Sequence, residues 1–223
     1  MSPSSGRDYR RALDHLEGRG FIPLFANKHL PSFYTWVVAE LGNHDPNHDV
    51  PLTWDIANDM AERRDAYYGK LFRKDYILAH TGFLAVLLRI FPLSDARDLY
   101  WSGGLSRKAW DAFGILEPGP RTTVAINQAL GARDRPARAE VAKALDELML
   151  ARVACRTGEA KRPGRGWGIA VWDLLERWLP EGIHEEARAL DLDYARGRLR
   201  QKFYEALARE DPRAFARFFR LRD

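Results

Sequence analysis

His44, Asp45, His48 and Asp49 lie within one short stretch and are all competent ligands for a divalent metal ion. Pro46 separates them, however, and Asn, Asp, His and Pro are the residues a loop uses anyway, so Gly42–Val50 reads as a loop with no metal bound and no cofactor. Tyr68-Gly69-Lys70, followed by Arg73 and Lys74, sets a phenol and an amine beside two cations. That is a potential acid/base or phosphate-binding group, although tyrosines on such a helix more often pack. His80 and His184 belong to no constellation. Cys155 is the single cysteine, which excludes an intramolecular disulfide and a multi-cysteine metal site. It sits in the alternating run Arg152–Thr157 and reads as a small strand residue. No glycine-rich phosphate cradle and no Gly-x-Ser-x-Gly elbow is present, so no catalytic residue is assigned.

The arginines are the more informative groups, because a guanidinium fork matches a phosphate bidentately. Residues 101–170 carry a net charge of +5, whereas 1–100 sum to −1 and 171–223 to 0, so one segment holds the excess of the +4 chain. Within it, Arg133, Arg135 and Arg138 precede or open a helix, and Arg156, Lys161, Arg162 and Arg165 surround a Gly/Pro loop. A further row, Arg213, Arg217 and Arg220, lies opposite Phe215, Phe218 and Phe219 on the last helix. Such cations can contact DNA phosphates without reading sequence.

Positioning these groups requires a mostly helical chain. Turn and cap residues predict helices over 7–18, from Ser32 to Leu41, from Thr53 to about Arg73, from about Ala79 to Phe91, and from Ser94 to Tyr100. Phe21–Phe25 reads as extended. Ser106 caps a helix through Ile115, Thr122 or Thr123 caps a short one to Leu130, and Arg135-Pro136 opens a third. In that third helix Val141, Leu145, Leu148 and Met149 share one face, and Ala139, Glu140, Lys143, Asp146 and Glu147 fall on the other. Arg152–Gly158 and Trp167–Trp172 read as strands around a basic loop. Helices follow over Asp173–Leu179, from Leu192 to Ala208 and after Pro212. Three helices, a strand, a loop and a strand form the order of a winged helix-turn-helix. Its outer face looks acidic, which opposes lying in a major groove.

With 46% hydrophobic and 12% aromatic residues the chain has ample material for a core, which excludes a wholly disordered protein. No run reaches the length of a membrane span, and Arg7, Asp8, Arg10 and Arg11 interrupt any signal-peptide core, so a soluble cytoplasmic protein with no membrane association is expected.

Gly119-Pro-Arg-Thr-Thr, then Ala142-Lys-Ala-Leu-Asp-Glu-Leu, then Trp172-Asp-Leu-Leu-Glu-Arg-Trp-Leu-Pro-Glu181, resemble a winged-helix unit of the AlkZ-like DNA glycosylase superfamily. Trp54–Lys74, with Tyr67-Tyr-Gly-Lys-Leu-Phe-Arg-Lys, is similar to a segment of its shorter AlkZ-related branch. The resemblance implies tandem winged helices and a link to the repair of alkylated or crosslinked DNA. It covers roughly residues 53–208, and the chain is shorter than the glycosylases. Their Gln-x-Gln or Gln-x-Asp motif has no match, because Gln128 precedes Ala-Leu and Gln201 precedes Lys-Phe, so no catalytic residue carries over.

The expectation is therefore a mainly α protein with small β wings. Residues 1–104 form a helical region or degenerate winged helix, 105–181 a winged helix-turn-helix, and 182–223 helices packed on the core. Non-specific or structure-specific DNA binding without enzymatic activity is the leading function. A glycosylase with a non-standard site, or a winged-helix module for protein interaction or homodimerisation, stays open.

Overall fold

Tyr9, Ala12 and Leu16 recur at helical spacing and are buried together, which is why Gly6–Arg19 forms an amphipathic helix, α1. The helix stops at Gly20, whose φ of +74° suits glycine, and a Cβ there would also stand 3.0 Å from the Phe83 ring. The computed structural model describes residues 6–27, 30–72, 74–160 and 168–219. Strand β1 (Phe21–Pro23) follows α1 and pairs antiparallel with β3 (Ile77–His80), Phe21 facing Ala79. Ser32 caps α2 (Phe33–Glu40) by accepting the Thr35 N–H.

Two expectations fail between these strands. The stretch read as a loop over Gly42–Val50 already enters α3 (Pro46–Glu62), because Asp45 caps it and Pro46 occupies the first helical position, where its missing N–H costs nothing. The helix expected to reach Arg73 ends at Glu62. Arg64 takes a left-handed φ of +62°, and the aromatic run that follows forms strand β2 (Ala66–Gly69) next to β3. The helix expected from Ala79 likewise gives way to β3 and a 3-10 turn at Thr81–Phe83 before α4 (Leu84–Ile90) begins.

Beyond α4 the elements are α5 (Ala96–Trp101), α6 (Arg107–Leu116), the two-residue β4 (Arg121–Thr122), α7 (Thr123–Ala129) and α8 (Arg135–Leu150). Next come β5 (Ala154–Ala160), β6 (Ile169–Leu174) and α9 (Leu175–Trp178). Asp173 thus belongs to a strand and not to the helix expected for it. Asp95 caps α5, Ser106 caps α6 and Thr122 caps α7. Strand β6 pairs antiparallel with β5 on one side and β4 on the other, and Gly158, at φ +132°, absorbs a bulge in β5. The chain ends in α10 (Ile183–Ala189), which had no counterpart among the expected helices, α11 (Leu192–Leu207) and α12 (Pro212–Phe219).

These elements form a mainly α protein organised as two units. One comprises the chain through Tyr68, Phe72–Pro92 and the part from Pro180 onward; the other comprises Gly69–Leu71 and Leu93–Leu179. In the first, Leu16, Leu24, Phe33, Val37, Ile56 and Met60 are wholly buried at the centre. Phe215, Phe218 and Phe219 dock α12 against Phe203 and Phe21, so the aromatic face of the last helix is its packing face. In the second, Val141, Leu145, Leu148 and Met149 on α8 are buried with Phe113, Leu116, Trp172 and Trp178. No helix among the described residues is long and apolar enough to cross a membrane.

Candidate nucleic-acid interface

Helix α8 is the element around which the second unit's charges are arranged. Asp134 caps it by accepting the Ala137 N–H at 2.8 Å, with Pro136 in the first turn. Burial of Val141, Ala144, Leu145, Leu148 and Met149 then fixes which residues face out. Arg133 before the helix and Arg135, Arg138, Glu140 and Lys143 along its first nine residues are all exposed. Arg133 and Arg135 make no ion pair among the described residues, and Arg138 reaches only the Ala132 carbonyl, at 3.4 Å.

The two carboxylates that made this face look acidic are engaged within the unit. Lys70 Nζ lies 2.7 Å from Asp146 Oδ2, and the lysine is only 8% exposed. Glu147 accepts the Ser106 N–H at 2.5 Å and the Ser106 hydroxyl at 2.7 Å, which ties α8 to the start of α6. Asp146 is thus ion-paired, whereas Glu147 keeps its charge and is hydrogen-bonded to Ser106; from Arg133 to Lys143 the exposed charged residues are four cations, Arg133, Arg135, Arg138 and Lys143, and two carboxylates, Asp134 and Glu140.

Arg156 on β5 is largely buried and ion-paired with Glu159 at 3.3 Å, so it is less available to a phosphate than its position suggested. Lys161, Arg162 and Arg165 lie outside the described residues, as does Arg220. Arg213 and Arg217 are exposed on α12, in the other unit. Arg121, exposed on β4, is a cation that sequence reasoning passed over; its place opposite Trp172 follows from strand pairing. The frame beneath is held by polar contacts. Trp172 Nε1 donates to Thr123 Oγ1 at 3.0 Å, and Arg177 donates to the carbonyls of Leu116 (2.7 Å) and Glu117 (3.0 Å) and to the Asp173 carboxylate.

The other candidates take part in contacts within the fold. Tyr68 is buried on β2 against Trp54 and Tyr76, and Lys70 serves Asp146. Cys155 is buried. Tyr9 donates to Asp65, and burial together with that carboxylate pushes its phenol well above the ordinary value. His44, Asp45, His48 and Asp49 do not converge on one point. Asp45 caps α3, whereas Asp49 is wholly buried, with His48 Nδ1 2.8 Å from Oδ1 and the Asn43 N–H donating at 3.1 Å. Gly42 leaves room for it, since a Cβ there would stand 2.6 Å from the carboxylate.

The His48 hydrogen bond, with help from the Asn43 amide, holds Asp49 below the usual carboxylate range. A depressed folded-state pKa contributes stability above the unfolded carboxylate value and loses it as pH falls through the folded one. Thermal melts should therefore show Asp49→Asn less stable than the parent at pH 7, with the gap closing on acidification below about pH 4. A gap that stays constant with pH would show that the charge on Asp49 contributes nothing.

Neither the curated proteins nor the solved structures include a match to this chain. One family model does match, that described as AlkZ related, and it spans residues 7–220, covering both units. That tie is to a family named for DNA repair enzymes, which points to a DNA-repair or DNA-binding role. The chain belongs to the AlkZ-related family.

Proposed function

We propose that this protein is a winged-helix DNA-binding protein that engages the duplex chiefly through its backbone, in the service of repair or of recognising distorted structure. The reading is carried by the exposed cationic first half of α8, whose carboxylates further along are taken up by Lys70 and Ser106. The order α6, β4, α7, α8, β5, β6, with β4 paired to β6, supports residues 105–181 as the winged helix, since it is the order in which such units are built. Helix α8 is then the element that meets DNA. Its first nine residues offer Arg135, Arg138 and Lys143 among alanines and Glu140, with no asparagine or glutamine able to pair with an adenine edge, and the three cations serve phosphates in this reading. Arg133 and Arg121 extend the cationic set, and Arg213 and Arg217 supply a further pair on the other unit. Lys161, Arg162 and Arg165, which lie outside the described residues, join the set on sequence alone.

Fluorescence anisotropy with duplex, single-stranded and bulged DNA across a salt series tests the reading. Binding should be tightest at ~50 mM salt and fall linearly on a log–log plot as salt rises. No binding at ~50 mM salt to any of the three would overturn it. Light scattering on the same samples separates DNA binding from self-association.

A further inference from the structure

Within the first unit, α1, β1, α2 and Ala206 of α11 line a half-open cavity of about 200 Å³ that none of the preceding roles uses. Its walls are apolar, formed by Phe21, Pro23, Leu30, Pro31 and Trp36. An emptied cavity of about 150 Å³ accommodates benzene, so this one holds a single ring with a small substituent. Walls of aromatic side chains and prolines favour a flat body over a branched one.

The polar groups at the cavity carry one sign. Arg19, the last residue of α1, lines it and makes no hydrogen bond or ion pair among the described residues. No aspartate or glutamate is among the lining residues. Ser32 and Thr35 also line it, their hydroxyls 2.8 Å apart, and only one of the two protons is used between them. His15 completes the rim, stacked on Trp36 with centroids 4.6 Å apart. One cation with a hydroxyl donor suits a monoanion; a phosphate dianion in so apolar a site would require more positive charge.

We propose that this cavity is a binding site for a small aromatic carboxylate, its ring against Trp36 and Phe21 and its carboxylate on Arg19 and the Ser32–Thr35 hydroxyl pair. The site stands apart from the DNA-binding reading and rests on none of its residues. Burial, then the nearby Arg19 charge, holds His15 below its ordinary pKa, with Glu40 acting the other way. A bound carboxylate would counter Arg19 and raise it.

Benzoate is the probe, titrated into the full chain and followed by NMR at the Trp36 indole N–H and the His15 ring protons. Both signals should shift saturably, benzamide should bind at least tenfold more weakly than benzoate, and the His15 titration midpoint should rise when benzoate is present. Arg19→Gln should weaken benzoate at least tenfold with its circular dichroism unchanged, and Arg19→Lys should recover part of the loss. Equal binding of benzoate and benzamide, unchanged benzoate affinity in Arg19→Gln, or shifts that never saturate would each overturn the assignment.

Discussion

Arg177→Met is expected to cost about 3 kcal/mol of stability and to lower the melting temperature by about 9 °C. Three acceptors depend on this one guanidinium: the carbonyls of Leu116 and Glu117, where α6 ends, and the Asp173 carboxylate on β6, whose side chain is only 6% exposed. Methionine fills much of the same volume but donates nothing, so a buried charge and two carbonyls lose their donor at once. The arginine is itself 37% exposed, which keeps the effect at the lower end of the range for a buried pair. Arg177→Lys should recover only part of the loss, because a single ammonium cannot span acceptors on two elements. Adding Asp173→Asn to Arg177→Met should restore roughly 1 kcal/mol by removing the stranded charge. Urea or thermal unfolding of the three variants measures this, and an Arg177→Met protein as stable as the parent would show that the clamp contributes nothing.

The second large effect concerns affinity and leaves the fold alone. Arg135 and Arg138 are exposed, and their one described contact is the long Arg138 hydrogen bond to the Ala132 carbonyl at 3.4 Å, so replacing both by alanine should leave the melting temperature within about 2 °C. Affinity for duplex DNA should fall about 30-fold near 100 mM salt, by a similar factor whatever the sequence, since two phosphate contacts are removed. Glu140→Ala should act in the opposite direction. It removes the one carboxylate on the exposed first half of α8, and an increase of about threefold is expected.

That pair of expectations shows where sequence reasoning reached and where it stopped. Helical periodicity placed Asp146 and Glu147 away from the buried face of α8, and both are indeed only partly buried. Their partners are Lys70, 76 residues away, and Ser106, 41 residues away, and no local pattern carries such pairings. Reading one helix alone gives the charges on that face but not the partners that hold two of them. Local signals served better: Ser32, Ser106 and Thr122 act as caps where expected, because a cap is decided within three residues. Ala66–Gly69 was hidden because strand formation there depends on its neighbour β3, while the preceding helix pattern ran on past Arg64. Helix α10 escaped notice because only Ile183 and Ala187 are buried, too few to establish a period.

The account rests on α8 meeting phosphates through its cationic first half. The most direct measurement is the slope of log affinity against log salt for duplex DNA, taken for the parent and for the Arg135→Ala/Arg138→Ala variant. The slope should be shallower in the variant by about 2, one counterion for each lost contact. Equal slopes and equal affinities in the two proteins would contradict the account and place any DNA contact elsewhere on the chain.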